Sequence, residues 1–496
     1  MALEGQVRSL VSTWSPWWSE ESWESPVRFR RPVFDEIAHG IDSLEQIISV
    51  TGPRRVGKST LLKQIVSYLI SEKSVDPDLI VYYSFDDPTL YRAEMSGGEM
   101  FESLMSQMVD SGTPDKPIYF FLDEIQTLER WEQYLKKYFD LKYPFKFIIS
   151  GSASSPIFKR SRESLLGRVK DFHLLPFSFK EYLLFRAHNE SRSDIIKEVG
   201  EQSKRGAEVR GMIVNNPEYL ETESVGLLRL PKKLWEYCEG HLSHYIVEGG
   251  FPEVWRMQSQ DQKIDYLFDN QVKKVIMEDL VLAVELRKPE LLKTFYISLL
   301  EKPGREVNKT RLSQELGIGV RQIDKYLPLL EMTDLVRSAN KFRRSSQRVR
   351  SGNQKFYPVD MALRNAVLRI GKEILKDDAA LGLYAETFVF NALKKWGGVL
   401  SIDFYRNSKQ EEVDFIVHAG PNKFLPVEVK YASLWRPGDI KAMKKFYEKH
   451  SSEVPRGIVV TKDRKEFGKL SSFKNTDDLA YDPFCIPLVQ FLLMFD

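Results

Sequence analysis

The sequence predicts an α/β protein of several domains, and three observations support this fold class. The chain has 496 residues, which is more than one hydrophobic core usually supports. Near the N-terminus, an apolar strand runs into a glycine-bounded loop and then an amphipathic helix. Near the C-terminus, the segments follow the order helix, three strands, helix and strand. We therefore expect sheets with helices packed on them.

Composition and the absence of targeting signals narrow the class of protein. Charged residues make up 29% of the chain, and the formal net charge of +2 is compatible with a local basic patch. Cys238 and Cys485 are far apart in sequence, which argues against a disulfide scaffold or a cysteine metal site. The sequence shows neither a signal peptide nor an apolar run long enough to cross a bilayer. We expect a cytoplasmic protein with no membrane partner.

The glycine-bounded loop has the sequence GPRRVGKS over residues 52–59, which matches G-x-x-x-x-G-K-[ST]. In such a loop the backbone N–H groups face a phosphate at the positive end of the following helix. Lys58 would reach the β- and γ-phosphates, and the Ser59 hydroxyl would bind Mg²⁺. The predicted nucleotide-binding residues are Gly52, Pro53, Arg54, Arg55, Val56, Gly57, Lys58, Ser59 and Thr60.

A second motif argues against an accidental glycine–lysine turn. The run KPIYFFLDEIQ is a strand that ends in Asp123 and Glu124. At the end of a strand, Asp123 would hold Mg²⁺ through water and Glu124 would polarise the attacking water. A third strand ends in Ser150 and Ser152, where a hydroxyl could sense the γ-phosphate. The sequence therefore predicts a site for ATP or ADP with Mg²⁺, with Lys58, Asp123 and Glu124 as catalytic residues.

Two further features, close in sequence to the predicted ATP site, leave alternatives open. Three arginines are candidates for an arginine finger, or they form ordinary surface ion pairs: Arg160, Arg162 and Arg168. The N-terminal arm has four tryptophans that could stack on bases: Trp14, Trp17, Trp18 and Trp23. We favour packing of this arm onto a domain or a neighbouring subunit.

Residues 308–336 predict two short helices joined by a glycine turn, as in a helix-turn-helix. Arg321 and Lys325 would lie on the exposed face of the second helix. A run without any acid follows, with the cations Arg337, Lys341, Arg343, Arg344, Arg348, Arg350 and Lys355. A basic wing of this kind favours contact with a phosphate backbone, and the alternative is a packing module with a solvated hairpin.

Charges interrupt two apolar strands near the C-terminus. Asp414 lies in one strand, and Glu428 and Lys430 lie two residues apart in the next, so that their side chains share a face. Buried charges are expensive unless they are paired or hold a metal ion. An amphipathic helix upstream carries one acid, Glu386. The alternatives are structural salt bridges or a decayed site.

Five segments are similar to those of a known family: TGPRRVGKST, LDEIQ with Trp131 after it, SGSAS, LLGR followed by LPFSFKEYL, and GGFPEVW. Through these segments the chain resembles one group of prokaryotic (archaeal-type) AAA+ ATPases. It covers most of the chain, and it is weakest in the first 27 residues and around residues 188–225. In that group the motor precedes a helical lid, a winged helix and a domain similar to PD-(D/E)XK nucleases. The domains expected from the resemblance are a Trp-rich arm (1–27), an AAA+ core (28–187), a helical lid with an insertion (188–285), a winged helix-turn-helix (286–350) and a nuclease-like domain (351–496).

The resemblance also implies roles for the C-terminal charges. Asp414 would begin the nuclease motif, Glu428 and Lys430 would complete it, and Glu386 would match the accessory acid. Asp414 and Glu428 would hold a second divalent metal, Mg²⁺ or Mn²⁺, with help from Glu386 and the carbonyl of Val429. Lys430 would orient the nucleophilic water or stabilise developing charge.

The function predicted from these features is an Mg²⁺-dependent ATPase that acts on DNA. Its ATP hydrolysis would be coupled to a DNA-binding winged helix and a metal-dependent nuclease domain, in a homo-oligomer. One alternative is a nucleotide-dependent switch that cuts nothing. The other is an ATPase whose C-terminal domain binds nucleic acid but is catalytically inactive.

Overall fold

The computed structural model describes residues 2–20, 23–92, 95–110, 116–152, 165–215, 229–343, 354–451, 453–454, 456–474 and 481–496. Five of the predicted functional cations lie outside these residues: Arg160, Arg162, Arg344, Arg348 and Arg350. The chain divides into two compact units. The first unit comprises Met1–Leu175, Lys274–Pro289 and Met332–Asp334. The second unit comprises Pro176–Lys273, Glu290–Glu331 and Leu335–Asp496.

The first part of the chain forms an α/β sandwich around a parallel sheet. Its strands are β1 (Ile47–Gly52), β2 (Ile80–Ser84), β3 (Ile118–Asp123), β4 (Phe145–Ser152) and β5 (Val169–His173). Its helices are α1 (Ala2–Trp14), α2 (Val33–Ser43), α3 (Lys58–Ser71), α4 (Thr89–Arg92), α5 (Gly97–Asp110) and α6 (Trp131–Asp140). In the described residues the strand order is β2-β3-β4-β1-β5. All pairs are parallel, so the carboxyl ends of β1, β3 and β4 meet at one edge.

The N-terminal arm packs on strand β2, which is an edge strand of this sheet. The Ser15 hydroxyl donates to the carbonyl oxygen of Tyr82 (3.1 Å) and accepts from the backbone N–H of Tyr82 (3.0 Å). The Trp17 indole donates to the carbonyl of Ile80 (2.9 Å), and the Trp14 indole donates to Asp87 (2.7 Å). The prediction that the arm packs onto a domain is therefore confirmed, and the domain is that of the same chain.

The described residues between 176 and 288 are mainly helical, as the sequence predicts for residues 188–285. The helices are α7 (Phe179–Asn189), α8 (Ser193–Asn215), α9 (Lys232–Glu248), α10 (Gln260–Leu267) and α11 (Leu280–Val284), with π-helical turns at Phe268–Lys273 and Val275–Asp279. The apolar faces of α7–α9 contribute Tyr182, Leu183 and Trp235 to one core with residues of the C-terminal sheet. Of the region expected to form a lid, residues 274–285 belong to the first unit and residues 188–273 to the second.

The rest of the chain places helices around a second, mixed sheet. The helices are α12 (Pro289–Glu301), α13 (Lys309–Leu316), α14 (Val320–Met332), α15 (Met361–Leu368), α16 (Asp378–Lys394), α17 (Lys441–Lys449) and α18 (Leu488–Phe495). The strands are β6 (Val336–Lys341), β7 (Gln354–Pro358), β8 (Ser401–Arg406), β9 (Glu412–Gly420), β10 (Lys423–Lys430), β11 (Ile458–Thr461), β12 (Gly468–Lys469) and β13 (Phe484–Pro487). Short 3-10 helices lie at Pro16–Trp18, Pro77–Leu79, Ile125–Thr127, Pro252–Arg256, Lys372–Lys376, Pro437–Ile440 and Leu470–Ser472.

The second sheet has the order β12-β13-β11-β10-β9-β8-β6-β7 within the described residues. Strands β6 and β7 form an antiparallel hairpin, and β6 also pairs in parallel with β8. The domain boundary expected at residue 350 lies outside the described residues, in sequence between strands β6 and β7, which pair with each other in one sheet. The hairpin packs with the C-terminal strands because Ala339 and Tyr357 lie in the same core as Phe404 and Phe415.

In the described part of the chain, no helix combines the length and the apolar character that a membrane span requires.

Candidate functional sites

The glycine-bounded loop joins the end of β1 to the start of α3. Gly52 has a φ of +146°, and a Cβ atom there would lie 1.9 Å from the carbonyl oxygen of Leu174. Gly57 is the N-cap of α3 with a φ of 98°, in the left-handed region that favours glycine. A Cβ at Gly57 would meet no heavy atom within 4 Å, so glycine is required there by backbone conformation. The loop thus curls tightly and presents the N-terminus of α3 to the strand edge.

Lys58, the first residue of α3, is buried at the centre of this loop. Its Nζ donates to the carbonyl oxygens of Pro53 (2.9 Å) and Gly52 (3.2 Å). Burial lowers the pKa of Lys58, and the charges of Glu124 and Asp123 oppose that effect. A buried amine at a helix N-terminus suits a phosphate, which would supply negative charge directly at the ammonium group.

Asp123 ends strand β3 and is held by two hydroxyl groups. Its Oδ2 accepts a hydrogen bond from Tyr82 (2.6 Å), and its Oδ1 accepts one from Ser150. Burial followed by the charge of Asp123 raises the pKa of Tyr82 well above its ordinary value. Asp123, one of the two predicted Mg²⁺ ligands, is therefore held in place by Tyr82 and Ser150. The Ser150 hydroxyl is used to hold Asp123, although the sequence had suggested a contact with the γ-phosphate.

Glu124 follows directly and adopts a left-handed conformation, with a φ of 48°. Its carboxylate accepts a hydrogen bond from Gln126. Left-handed backbone in a residue other than glycine costs about 1 kcal/mol and often occurs at functional sites. The same carboxylate raises the pKa of Lys58 through its charge, so the loop and the β3 acids form one electrostatic unit.

The two loop arginines have different environments. Arg54 donates to Asp279 through Nε (2.8 Å) and through a terminal nitrogen (2.7 Å), which is a bidentate ion pair. The hydrogen bond to Asp279 raises the pKa of Arg54, and burial opposes this. Asp279 belongs to the Lys274–Pro289 segment of the same unit, and Arg55 is exposed. Among the remaining predicted nucleotide-binding residues, Val56 is buried and Thr60 is half-buried.

Arg168 is the one arginine-finger candidate among the described residues. It donates to both carboxylate oxygens of Asp140, at 2.7 and 3.1 Å. The alternative interpretation, a surface ion pair, therefore describes Arg168 in this structure.

In the second unit, strands β9 and β10 bring Asp414 and Glu428 together. Their antiparallel register pairs Phe415 with Val427, which places Asp414 beside Glu428 one position further along. An Asp414 carboxylate oxygen accepts from the Val429 N–H (2.8 Å), and a Glu428 oxygen accepts from the Asp414 N–H (3.3 Å). Burial first, and then the charge of Asp414, raise the pKa of Glu428 to about 8.

Lys430 lies on the same face as Glu428, as the two-residue spacing predicts. Its Nζ donates to Glu428 at 2.5 Å. Burial lowers the pKa of Lys430, but the carboxylates of Glu428 and Asp414 outweigh burial and the pKa is raised. The ammonium group therefore keeps its charge beside the paired acids.

Glu386, on α16, lies near this pair but has other partners. Its Oε1 accepts from the Tyr357 hydroxyl (2.8 Å) and from Lys355 (3.3 Å). Burial, opposed by Lys355 and reinforced by Asp414, raises the pKa of Glu386 to about 7. Among the described residues no three His, Cys, Asp or Glu side chains come together in a way that could hold a metal ion. The expectation that Glu386 helps Asp414 and Glu428 to bind the metal is therefore not met.

Lys355 is the main correction to the predicted basic wing. It has a relative exposure of 1%, and it forms ion pairs with Glu386 and Glu412. Burial lowers the pKa of Lys355, and the charges of Glu386, Asp414 and Glu412 raise it by more. The sequence does not reveal this arrangement because the acids are distant along the chain from the run of cations.

The basic wing is thus smaller than the sequence suggests, but several cations remain exposed. Lys341 on β6 is exposed, and so are Arg321 and Lys325 on α14. Helix α13 begins at the Asn308 cap, whose side chain accepts from the Arg311 N–H, and it ends at Gly317, with a φ of 65°. Helices α13 and α14 are thus two short helices separated by a glycine turn, as predicted.

The comparisons with known proteins bear on the first unit most directly. Residues 44–183 match the protein family described as "AAA domain". Residues 44–183 therefore carry an AAA-type ATPase-like domain. Residues 239–374 and 381–475 match two families described as domains of unknown function, DUF8612 and DUF4143.

Relatives of similar length occur in a bacterium and an archaeon. An uncharacterized protein of Haemophilus influenzae is 25% identical over 389 residues, which cover 77% of this chain and 82% of the relative. An uncharacterized protein of Methanocaldococcus jannaschii is 23% identical over 428 residues, which cover 85% of this chain and 83% of the relative.

Two solved structures show a distant likeness. A Walker-type ATPase of Pyrococcus abyssi is 14% identical with a TM-score of 0.35, and the match covers 70% of this chain and 99% of that one. The RuvB Holliday junction branch migration motor of Thermotoga maritima is 14% identical with a TM-score of 0.24, and the match covers 62% of this chain and 89% of that one.

Two residues of the first unit had no role in the sequence prediction. Tyr82 lies in the strand sequence IVYYS, and only the sheet order, which places β2 beside β3, brings its hydroxyl to Asp123. Asp279 lies in a helical segment far from the loop in sequence, and no motif identifies it as the partner of Arg54. In both cases the role depends on a contact between residues far apart in sequence, which local periodicity does not reveal.

Proposed function

We propose that this protein is an Mg²⁺-dependent ATPase that acts on DNA and carries a single-metal nuclease site in its second unit. The observation that carries the ATPase part is that Asp123, fixed by the Tyr82 hydroxyl, ends its strand close enough to the buried Lys58 for its charge to act on that amine. ATP would bind at the loop, with its phosphates at Lys58 and the N-terminus of α3. Mg²⁺ would be held by Ser59 directly and by Asp123 through water, and it would screen the phosphate charge. Glu124 would orient the attacking water.

The ATPase proposal is tested by hydrolysis of ATP in Mg²⁺. Wild type is expected to hydrolyse ATP, and Lys58→Ala and Glu124→Gln are expected to lose at least 10-fold in turnover. Lys63→Ala, in the same helix but outside the loop, is the control and should retain most activity. Equal activity in Lys58→Ala and wild type would contradict the site.

The nuclease proposal rests on the pair Asp414 and Glu428 with Lys430 beside them. Two carboxylates suit one Mg²⁺ or Mn²⁺, because Mg²⁺ commonly binds through one or two carboxylates and keeps several waters. A metal at this pair would make a bound water acidic and screen a phosphodiester. Lys430 would orient that water, and the segment order α16, β8, β9, β10, α17 and β11 is the one expected for a PD-(D/E)XK-like domain.

Cleavage of circular and linear DNA, with and without ATP, tests the nuclease. We expect cutting in Mg²⁺ or Mn²⁺ that disappears in Lys430→Ala and in Asp414→Asn. Lys423→Ala, an exposed lysine at the other end of β10, is the control and should cut normally. ATP hydrolysis without any cutting by wild type would contradict the nuclease and leave the ATPase intact.

DNA binding is proposed for the region of α12–α14 and the β6–β7 hairpin, as a winged helix. Arg321, Lys325 and Lys341 are exposed cations that suit a phosphate backbone. The double change Arg321→Glu and Lys325→Glu should weaken DNA binding and flatten its salt dependence. The pair Lys232→Glu and Lys233→Glu, at the start of α9, makes the same change in net charge and should leave binding nearly unchanged. If both double variants weakened DNA binding equally, the loss would reflect the change in net charge and not a binding site on α14.

A second candidate is a nucleotide-dependent switch whose C-terminal cluster is structural. The favouring observation is that lysines already pair with these acids, Lys430 with Glu428 and Lys355 with Glu386. Under this alternative Asp414→Asn would alter stability but no cleavage or metal-binding property.

We also propose a homo-oligomer in which an arginine of one copy completes the ATP site of the next. Sedimentation with and without nucleotide tests it.

A further inference from the structure

Lys355 lies inside the carboxylate cluster of the second unit, on strand β7. Its Nζ is 3.3 Å from Glu386 Oε1, it forms a second ion pair with Glu412, and it lies 5.4 Å from the centre of the Phe404 ring. The side chain has 2% exposure. Two carboxylates in contact with one buried amine keep that amine protonated. A permanent positive charge therefore lies between Glu386 and Glu412.

The four acids around this site divide into two pairs with different cation contacts. Glu386 and Glu412 both contact Lys355. Glu412 also forms an ion pair with Arg406, which is shared with a further acid, Glu306. Asp414 and Glu428 are hydrogen-bonded to each other's strand, and Lys430 forms an ion pair with Glu428. One buried cation, Lys355, therefore contacts both acids of the first pair, whereas the ion pair described for the second involves Glu428.

The surroundings of Glu386 reinforce this division. Its Oε1 is held by the Tyr357 hydroxyl as well as by Lys355. The backbone of Gly304 approaches so closely that a Cβ atom there would lie 2.8 Å from the same oxygen. Glu386 is therefore fixed among groups of the protein and directed toward Lys355.

We propose that the Lys355 ammonium takes the place of a second metal ion, so that the cluster binds one divalent cation, at Asp414 and Glu428. This inference rests on the metal site proposed above. Lys355 is a positioning residue in this scheme: it neutralises Glu386 and Glu412 and keeps their carboxylates from a second cation. Cleavage of a phosphodiester would then depend on one metal ion together with Lys430.

The test counts Mn²⁺ ions bound to the full chain without nucleotide, by electron paramagnetic resonance titration. Without nucleotide, the ATP site lacks the phosphates that anchor its metal. We expect one Mn²⁺ in wild type, none in Asp414→Asn, and two in Lys355→Met, a twofold increase. Lys423→Met is the matched control, because it removes an exposed lysine from another strand of the same sheet, and it should bind one ion. Lys355→Arg keeps the charge and should also bind one, and Glu386→Gln added to Lys355→Met should restore one.

The outcomes separate this inference from the proposed nuclease site. Two ions in wild type, or one ion in a folded Lys355→Met protein, would overturn the role of Lys355 while leaving the metal site in place. No ion in wild type but one in Lys355→Met would overturn the metal at Asp414 and support Lys355 as the cation of the cluster. No ion in either protein would overturn both. If Lys355→Met fails to fold, the counts for wild type and Lys355→Arg still decide, since two ions in either would overturn the inference.

Discussion

At the scale of single residues, the Tyr82 hydroxyl has the clearest consequence for activity. It donates to Asp123 at 2.6 Å, so it orients a carboxylate that would help to hold Mg²⁺. Orienting groups behind metal ligands typically change metal affinity or activity by 10-fold or more. The ring itself is fully buried in the sheet and would remain in a phenylalanine variant.

Tyr82→Phe is therefore expected to raise the Mg²⁺ concentration needed for half-maximal ATP hydrolysis by about 10-fold. Nucleotide binding without Mg²⁺ should change little, because Lys58 and the loop are untouched. Tyr83→Phe is the matched control, since the Tyr83 hydroxyl is buried without a hydrogen-bond partner among the described residues. An unchanged Mg²⁺ titration for Tyr82→Phe would show that the hydroxyl has no part in metal binding.

Asp360 is a second single residue with a testable consequence, because it should make the free energy of unfolding depend on pH. It is buried, and it accepts hydrogen bonds from the Gly250 N–H (2.6 Å) and the Ala362 N–H (2.8 Å). Burial raises the pKa of Asp360 to about 6, against the lowering effect of these two hydrogen bonds. Because the folded pKa exceeds the unfolded value, the folded state retains a proton that the unfolded state has lost between about pH 4 and pH 6. The resulting stabilisation is present at low pH and is lost as pH rises through 6.

The free energy of unfolding of wild type relative to Asp360→Asn should therefore fall by about 1 kcal/mol between pH 5 and pH 7.5. Urea unfolding of both proteins at the two pH values measures it, and the asparagine variant does not titrate in this range. A difference that is independent of pH would show that Asp360 has an ordinary pKa.

At the scale of secondary structure, the N-terminal arm replaces a missing neighbour of strand β2. The Ser15 side chain both donates to and accepts from the backbone of Tyr82, as an adjacent strand would. The tryptophan indoles satisfy carbonyl groups next to it, including that of Ile80. This arrangement stabilises the strand that carries Tyr82.

Ser15→Ala should lower the free energy of unfolding of the first unit by about 2 kcal/mol, because two buried backbone groups lose their partner. It should also speed hydrogen exchange at the Tyr82 amide. Ser12→Ala removes an exposed serine of the same arm, whose hydroxyl bonds only to its own helix among the described residues, and should have little effect. Equal stability of Ser15→Ala and wild type would show that the arm adds nothing to the strand.

Elements of this protein are predicted well by local patterns, but their partners are not. The strands that end in Gly52 and Asp123, and the strands that carry Asp414 and Glu428, lie where alternation and motif spacing place them. The apolar stripes of α7–α9 indicate burial, but they do not say against which surface. The sequence places Lys355 in the predicted basic wing because its acidic partners lie 31 residues away or further along the chain. Contacts between residues far apart in sequence determine whether such a side chain is buried, and the local sequence does not reveal these contacts.

At the scale of the whole molecule, the first unit is not continuous in sequence. Lys274–Pro289 and Met332–Asp334 belong to it together with the first 175 residues. These returning segments supply Asp279 to Arg54 and Asp334 to His173, at 2.7 and 3.0 Å. The AAA-type domain therefore uses side chains that lie outside residues 44–183, the range matched by its family.

Arg54→Ala should cost the first unit about 2 kcal/mol in the full chain, since a largely buried bidentate ion pair is broken. In a fragment of residues 1–187, which lacks Asp279, the same change should cost less than half as much. Urea unfolding of the four proteins forms a double-mutant cycle that isolates the contribution of the returning segment. Equal losses in the fragment and the full chain would show that Asp279 does not contribute.

The covered edge of β2 also limits how copies of this chain can assemble. An exposed edge strand is a template for sheet extension between molecules, for domain swapping and for aggregation. Here the serine hydroxyl and the indole N–H groups of the arm occupy the hydrogen-bonding positions on that side. A second copy cannot extend the sheet of the AAA-type domain across β2 without first displacing the arm. Any assembly through this domain would therefore use side-chain surfaces or the opposite edge strand. Loss of the arm would expose unpaired backbone groups of β2 and favour aggregation through that edge.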